Sequence, residues 1–280
     1  MSLATVAKKD FQDSARSRWL WALTVLFILF VGGLSYLFTS VQGLGSAGED
    51  PGTAELLVSL LGPSGFLVPI IGIVISYKAI VGERESGTLK VLLSLPHKRG
   101  DVVIGKFLGR SLSLSIAIVL GYAVGLIVFA TQVSEFNLGA YVVFLLLTLL
   151  FGVVYISIGV GLSSLTASTS RALALAIGFI VLFEFVWVFV PLVLVFVVNG
   201  FELPNEFPEW AEFIATLSPS TALSRTANVL LSETSDMETV TRSSSDAFYL
   251  QNEFGLVILL AWLVVPLAIG YVRFGGADLS

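Results

Sequence analysis

One carboxylate, Glu184, stands inside the apolar run from Ala172 to Val198. A charged side chain at the centre of a bilayer costs on the order of 3 kcal/mol on insertion scales, so such a residue faces protein or water. Two interpretations stay open. Glu184 lines a substrate path or carries a proton, or it is a neutral acid hydrogen-bonded to a neighbouring helix through Tyr155 or a serine. Pro191 predicts a kink in the same helix.

Other reactive side chains are scarce. The sequence has no cysteine, two methionines and one histidine, His97, so a metal path through a membrane lacks ligands and we expect no metal site. His97 is expected to be an exposed polar residue of a loop. The sequence contains no H-E-x-x-H, no G-x-S-x-G and no paired carboxylates in its apolar runs, which leaves an intramembrane hydrolase unsupported. We predict no catalytic residue on this chain.

The segment from Gly100 to Phe107 nearly spells a nucleotide-binding P-loop. Phe107 occupies the position at which a Ser or Thr hydroxyl binds Mg²⁺. No strand is predicted before the segment, and a hydrophobic stretch follows it. We therefore predict no cofactor on this chain, and if ATP drives the protein, ATP and Mg²⁺ are bound by another chain.

The densest charge lies just before this segment. Gly82 and Gly87 bracket the sequence Glu83-Arg84-Glu85. Thr88 is suited to cap a helix, and Pro96 is expected to end it. Its apolar face is predicted from the spacing i, i+3, i+4 of Leu89, Leu92 and Leu93.

Such a helix has a leucine face with the charged residues Glu83-Arg84-Glu85 beside it. Helices with an apolar face of this kind insert into grooves of partner proteins. The alternative is a helix that lies on lipid headgroups with its leucines in the bilayer. Asp101 is the predicted N-cap of the next helix, which carries Lys106 and Arg110 and continues into a hydrophobic stretch.

The composition predicts an all-α integral membrane protein. Of its 280 residues, 56% are hydrophobic and only 12% charged, whereas soluble domains carry about 25% charged residues. A helix needs roughly 20 apolar residues to cross a bilayer. The predicted spans are Leu20–Phe38, Phe66–Val81, Leu112–Ala130, Ala140–Leu162, Ala172–Val198 and Gly255–Tyr271, of which the second and sixth are short.

Basic residues predict the orientation, because cytoplasmic loops are enriched in Lys and Arg. Of the 15 basic residues, only Arg225 and Arg242 lie on one side of the predicted spans. The other thirteen lie on the opposite side, as do both termini: Lys8, Lys9, Arg16, Arg18, Lys78, Arg84, Lys90, Lys98, Arg99, Lys106, Arg110, Arg171 and Arg273. We predict a multi-pass protein of the cell membrane with both termini in the cytoplasm.

Residues 1–19 are predicted to form an amphipathic helix in the headgroup plane, because Leu3, Ala7, Phe11, Ala15 and Trp19 recur at i+4. The alternative is a solvated basic tail. The first outer loop, Thr39 to Ser64, is Gly-rich and acidic, and we expect it to be irregular.

The outer loop 199–254 is predicted to contain two short helices. The first follows from Trp210, Phe213, Ile214 and Leu217 at i, i+3, i+4 and i+7. The second begins at Ser218-Pro219, an N-cap followed by a proline at N1, and has an apolar face of Leu223, Ala227, Leu230 and Leu231. Ser232 to Asp246 is expected to be mobile. The helices dip back into the membrane or cover the mouth of a pathway; the alternative is a small lid without a transport role.

Two G-x-x-x-G motifs, Gly105/Gly109 and Gly121/Gly125, allow close approach of helices. They mark a dimer contact or occur by chance in glycine-rich spans.

Glu-Arg-Glu-Ser-Gly-Thr-Leu at 83–89, Leu-Leu-Ser-Leu-Pro at 92–96, then Arg99 and Gly105-Lys106, resemble the cytoplasmic loop of ABC transporter type-2 permeases, the membrane subunits of ABCG-like exporters. The layout of spans is also similar, as are Ser218-Pro219 and Arg273-Phe274. Within that family the chain is similar to the permease subgroup of nitrous-oxide-reductase maturation.

The resemblance implies one transmembrane permease domain over residues 1–280, in which residues 82–111 form the coupling loop. This loop would dock on a separate P-loop ATPase subunit, and the permease would work as a homodimer in the lipid bilayer, without nucleic acid. The implied coupling residues are Glu83, Arg84 and Glu85 as polar contacts, Leu89, Leu92 and Leu93 as the buried face, Pro96 at the exit, and Gly87, Thr88 and Arg99.

The implied function is ATP-driven export, with ATP hydrolysed on the partner chain. Two alternatives stay open. One is a membrane anchor or assembly factor that transports nothing, and the other is an ion-driven secondary carrier that uses Glu184.

Overall fold

Every regular element that the computed structural model describes is a helix. It describes residues 3–45, 53–88, 99–133, 136–202, 207–234 and 248–276, and no strand occurs among them. The α-helices are α1 Leu3–Ala15, α2 Arg18–Gly45, α3 Thr53–Ser76, α4 Val81–Glu85, α5 Arg99–Gln132, α6 Leu138–Ser164, α7 Thr169–Ile180, α8 Val190–Val198, α9 Glu209–Thr216, α10 Pro219–Thr234 and α11 Phe254–Gly275. A π-helical turn, Val181–Val186, and a 3₁₀ turn, Trp187–Phe189, join α7 to α8.

Six helical segments of the described chain are long and apolar enough to cross a membrane, which confirms the predicted all-α class. They are Arg18–Phe38, Leu56–Glu85, Gly100–Thr131, Leu138–Ser164, Thr169–Val198 and Phe254–Gly275. We call them spans one to six. The second span is 30 residues long and the sixth 22, so the prediction that these two are short is wrong.

The expectation of an irregular loop from Thr39 to Ser64 is also wrong over most of its length. Helix α2 continues to Gly45, and α3 already begins at Thr53; residues 46–52 lie outside the described ranges. The Gly-rich, acidic composition misleads, because the segment from Thr53 onward is helical even across Pro63. Neighbouring helices and side chains let a membrane helix tolerate proline, and the start of α3 is buried through Leu56 and Leu57.

The fourth span lies at the centre of the packing and the fifth at its edge. In the most apolar stretch of each, 61% of the residues of span four are buried but only 11% of those of span five. Helix α6 packs against α3, α5, α10 and α11. Small residues make the crossings close, because a Cβ on Gly161 would lie 2.6 Å from the Pro266 carbonyl oxygen of α11.

Both G-x-x-x-G motifs serve contacts within the chain. A Cβ on Gly109 would lie 2.7 Å from the carbonyl oxygen of Ala7, so this motif receives α1. The motif at Gly121 receives α2, since a Cβ there would lie 2.6 Å from the ring of Phe27. Neither a dimer contact nor chance is therefore needed to account for them.

Helix α1, Leu3–Ala15, is shorter than the predicted helix over 1–19, and its buried face differs from the predicted apolar stripe; its place in the headgroup plane stays a prediction. The buried residues are Val6 and Asp10, which face α5. Trp19 belongs to α2 and is 73% exposed. The periodicity located the helix, while the glycines of α5 select the face that packs.

The two helices predicted between the fifth and sixth spans are present; their place on the outer side stays a prediction. Helix α9 is Glu209–Thr216, and α10 begins at Pro219, directly after Ser218. Leu223 and Ala227 of α10 are buried where this helix packs against α3, α6 and α11. Helix α10 is thus packed among the spans, and its role at a pathway or as a lid stays a prediction. Of the segment predicted to be mobile, 235–246 lies outside the described residues.

Candidate functional site

The charged loop begins at α4, at the end of the spans where α1 also lies; we call this the α1 end. The backbone N–H groups of Ile80 and Val81 donate to Ser163 Oγ at 3.0 and 3.1 Å. Since Ser163 lies in the last turn of α6, this hydroxyl fixes the start of α4 to the fourth span. Gly87 has φ +75°, a conformation that favours glycine and turns the chain after α4.

Glu83 of α4 takes part in a charge cluster with Asp10, Lys106 and Arg110. Lys106 Nζ donates to Glu83 Oε1 at 2.7 Å and to Asp10 Oδ1 at 3.3 Å. Arg110 Nε lies 3.4 Å from Asp10 Oδ2. The side chains of Lys106 and Asp10 are only 5% and 6% exposed, so these are buried pairs, whose loss costs more than that of surface pairs.

The cluster joins three elements that are far apart in sequence. Asp10 comes from α1, Glu83 from α4, and Lys106 and Arg110 from successive turns of α5. The Arg110 guanidinium also donates to the carbonyl oxygen of Ile75, near the end of α3. Any displacement of α4 therefore acts directly on α1 and on the second and third spans.

Glu85 makes the link to the fifth span. The Thr169 hydroxyl, at the start of α7, donates to Glu85 Oε2. Helix α4 is thus connected by side chains to span three through Glu83, to span four through Ser163 and to span five through Glu85.

The predicted coupling residues differ in where the structure places them. Glu83 points to Lys106, inside the protein, whereas Glu85, Gly87 and Thr88 are exposed. Arg84 lies within α4 and is half-buried. Four predicted coupling residues lie outside the described residues: Leu89, Leu92, Leu93 and Pro96. The same holds for His97 and for the side chain of Arg99, the first residue of α5. Asp101 lies in the first turn of α5 rather than at its N-cap.

Asp10 is the functional candidate that sequence reasoning missed. It lies off the predicted apolar stripe of α1, and an isolated amphipathic helix gives no reason to bury it. The useful signal lies in α5, where Lys106 and Arg110 each follow a glycine. Two basic residues beside two close-approach positions indicate an acid on the helix that approaches.

Glu184 forms a second polar junction, deeper in the membrane. The Tyr155 hydroxyl donates to Glu184 Oε1, and Ser220 Oγ lies 2.7 and 2.6 Å from the two carboxyl oxygens. The predicted hydrogen bonds to Tyr155 and a serine are therefore present; the neutral state of the acid and a role in a substrate path both stay predictions.

The backbone around Glu184 departs from a regular α-helix. Glu184 lies in the π-helical turn, and Pro191 lies in the first turn of α8, after the 3₁₀ turn. The break predicted from Pro191 thus occurs just before it. Trp187 Nε1 donates to the Ile214 carbonyl at 2.9 Å, which ties the irregular segment to α9. Such π-helical turns are frequent at functional sites.

Comparison with known proteins identifies the class. A family model described as ABC-2 family transporter protein matches residues 4–279, so the chain belongs to the ABC-2 transporter family, whose members include membrane subunits of ABC transporters. The family predicted from the loop motif is confirmed.

Two curated relatives place it more narrowly. Both are described as probable ABC transporter permease protein NosY, in agreement with the predicted subgroup. The protein of Pseudomonas aeruginosa is 36% identical over 158 residues, 55% of this chain and 56% of the relative. That of Stutzerimonas stutzeri is 37% identical over 134 residues, 48% of each chain. The chain thus spans about half the length of the curated relatives it matches.

Proposed function

We propose that this chain is the membrane-spanning permease subunit of an ATP-driven ABC exporter. ATP is hydrolysed on a separate ATPase subunit, which docks on the coupling loop 82–111 at the cytoplasmic face. The observation that carries the proposal is the placement of α4: a five-residue helix beside the loop is fixed to three spans in a chain that belongs to the ABC-2 family.

Movement of the loop is transmitted to the spans through short, directional contacts. Lys106 carries it to span three, Ser163 to span four and Thr169 to span five. The contacts of Lys106 and Ser163 resist displacement because breaking them strands buried polar groups, whereas the bond between Thr169 and Glu85 is exposed. Closure of the ATPases would therefore move the ends of these spans together with α4.

Residues of the loop have different roles in this proposal. Glu83 transmits, since it is already bound to Lys106. Arg84, Glu85 and Thr88 meet the ATPase at the rim of its cleft. The leucine face of 89–93 fills the cleft, and Pro96 sets the exit of the chain towards Arg99.

We further propose that two copies form the working unit through span five. Its large apolar side chains are exposed in the single chain, as at Ile177, Phe185 and Val193. Apolar exposure alone fits lipid equally well, so the dimer rests on the family. A cavity between the two copies would switch from inward to outward access when the coupling loops move.

The experiment is purification of the chain with its cognate ATPase in lipid nanodiscs. We expect the chain to raise ATP hydrolysis, and Glu85→Lys and Leu92→Asp to weaken association at least about tenfold, as loss of an anchor in a buried interface does. Lys9→Ala, an exposed change on α1, is the control. If the two loop variants bind the ATPase normally, the docking role is wrong; if binding occurs without stimulated hydrolysis, the anchor function replaces it.

The ion-driven alternative is separated by Glu184→Gln. An amide can still accept from Tyr155 and Ser220 but cannot release a proton. We expect ATP-dependent activity to survive this change. Activity without an ATPase that is abolished by Glu184→Gln is the result expected of the carrier.

A further inference from the structure

A cavity of about 700 Å³ lies beside the charge cluster, between α1, the beginning of α2 and the end of α3. Its lining has two kinds of surface. Leu20, Leu23 and Val74 form apolar wall on the membrane helices. Asp13 and Lys78, both exposed, stand on α1 and in the turn after α3. A ligand that fits both surfaces has a charged part and an apolar part.

The charges around the cavity are balanced. Its acids are Asp10, Asp13 and Glu83, and its bases are Lys78, Lys106 and Arg110. Four of these six pair among themselves in the charge cluster. The two that remain, Asp13 and Lys78, have opposite signs, so the cavity offers one acid and one base to a bound molecule. This complements a zwitterion better than it complements an anion or a cation.

Two tryptophans place the cavity at headgroup depth. Trp19, which also lines it, and Trp21 are 73% and 55% exposed at the start of span one, and exposed tryptophans at the ends of spans mark the membrane–water interface. The Trp21 indole N–H donates to the carbonyl of Ala15, the last residue of α1, which holds α1 at the same depth. The molecule that meets this cavity in a membrane is a lipid of the leaflet at the α1 end.

Asp13 is the acid that a molecule in the cavity can reach. The Asp10 Oδ2 and Glu83 Oε2 atoms are enclosed by protein, and Asp10 Oδ2 lies 3.4 Å from Arg110 Nε. The side chain of Asp13 is exposed and lines the cavity. A primary ammonium group brings three N–H donors, whereas a choline group brings none.

We propose that this cavity binds a zwitterionic phospholipid with a primary ammonium headgroup, of the phosphatidylethanolamine class. The ammonium group lies at the Asp13 carboxylate, and the phosphate is held by Lys78. The acyl chains run along Leu20, Leu23 and Val74. The bound lipid then wedges between α1 and the ends of spans one and two, next to the residues that connect α1 to the loop.

The test is native mass spectrometry of the full chain released from nanodiscs that contain equal amounts of phosphatidylethanolamine, phosphatidylcholine and phosphatidylglycerol. We expect phosphatidylethanolamine to be enriched on the protein by about fivefold, the factor that corresponds to one partly exposed charged hydrogen bond of about 1 kcal/mol. Asp13→Ala should abolish this enrichment, whereas Lys78→Ala, which removes the contact to the phosphate that all three lipids share, should lower the retention of all three. Lys9→Ala, which removes an exposed lysine of α1 that does not line the cavity, should preserve the enrichment.

Charge reversal gives a second readout that general destabilisation does not produce. In Asp13→Lys the cavity offers two bases to a bound molecule instead of one acid and one base. The bound lipid should therefore shift from phosphatidylethanolamine to the anionic phosphatidylglycerol. Leu23→Trp, which fills the apolar wall, should lower the retention of all three lipids.

Three results overturn the proposal. One is equal retention of phosphatidylethanolamine and phosphatidylcholine, because it removes the role of the ammonium group. Another is unchanged selectivity in Asp13→Lys. The third is saturable binding of the water-soluble headgroup glycerophosphoethanolamine, or of inorganic phosphate, with the same affinity as the lipid, because the site would then recognise a soluble ion rather than a membrane component.

Discussion

The contact between Glu83 and Lys106 can be measured by a double-mutant cycle on the isolated chain. The variants are Glu83→Gln, Lys106→Met and their combination, which remove the charges while keeping similar size. At 2.7 Å and an effective dielectric constant of about 20, the attraction amounts to roughly 6 kcal/mol. Desolvation offsets most of it, and the Glu83 side chain is 29% exposed, so we expect a net coupling of about 2 kcal/mol.

The single substitutions should differ in size. Lys106→Met leaves both Glu83 and Asp10 without their ammonium partner, so the free energy of unfolding should fall by about 3 kcal/mol. Glu83→Gln leaves Lys106 paired with Asp10 and should cost about 2 kcal/mol. The measurement is reversible unfolding in mixed micelles with increasing sodium dodecyl sulfate, followed by tryptophan fluorescence.

Glu85 provides the control for this cycle. It lies two residues after Glu83 and bonds to Thr169 rather than to Lys106, so Glu85→Gln combined with Lys106→Met should be additive within about 0.5 kcal/mol. The reasoning is refuted if the Glu83 and Glu85 cycles give the same coupling energy. Repeating both cycles with ATPase stimulation as the readout separates stability from transmission: Lys106→Met should lower stimulation even where the chain remains folded.

Packing and capping supply further expectations. Gly161→Ala brings a Cβ to 2.6 Å from the Pro266 carbonyl oxygen, 0.8 Å short of ordinary contact at 3.4 Å, and should lower the free energy of unfolding by about 1–3 kcal/mol. Gly178→Ala is the control, because nothing lies within 4 Å of its Cβ, and it should be neutral or slightly stabilising. Equal effects of the two changes would show that α6 and α11 do not cross as described. Ser163→Ala leaves two buried N–H groups without an acceptor and should lower the free energy of unfolding by about 1–3 kcal/mol. Ser164→Ala removes a hydroxyl that bonds within its own helix and should lower it by less than about 1 kcal/mol. Similar losses in the two variants would contradict the role of Ser163.

The sequence was sufficient for elements whose signal is local. Six apolar runs locate six spans, and Ser218-Pro219 marks the start of α10 to the residue. Tyr155 was a correct partner for Glu184 because a buried carboxyl in an apolar run needs a donor from a neighbouring span. Each of these inferences depends on the properties of one segment or of two adjacent ones.

What the sequence did not show depends on pairs that are distant along the chain. Lys106 and Asp10 are 96 residues apart, and only the packing of α1 on α5 brings them together. The same limit explains the wrong expectation of a loop from Thr39 to Ser64, since the burial of Leu56 and Leu57 depends on neighbouring helices and outweighs the local composition. The coupling leucines lie outside the described residues, so their docking role stays a prediction.

The position of Glu184 between its two partners has a consequence for how the protein is made. Tyr155 precedes Glu184 along the chain and Ser220 follows it, so during synthesis the fifth span reaches the bilayer while only the tyrosine is available. We infer that spans four and five insert as a hairpin in which the Tyr155 hydroxyl accompanies the carboxyl into the lipid. Ser220 adds its hydrogen bonds to the Glu184 carboxyl only when α10 packs among the spans. Translation of chains truncated before and after Ser220, with insertion scored by glycosylation tags, measures this order, and insertion of span five without span four would exclude it.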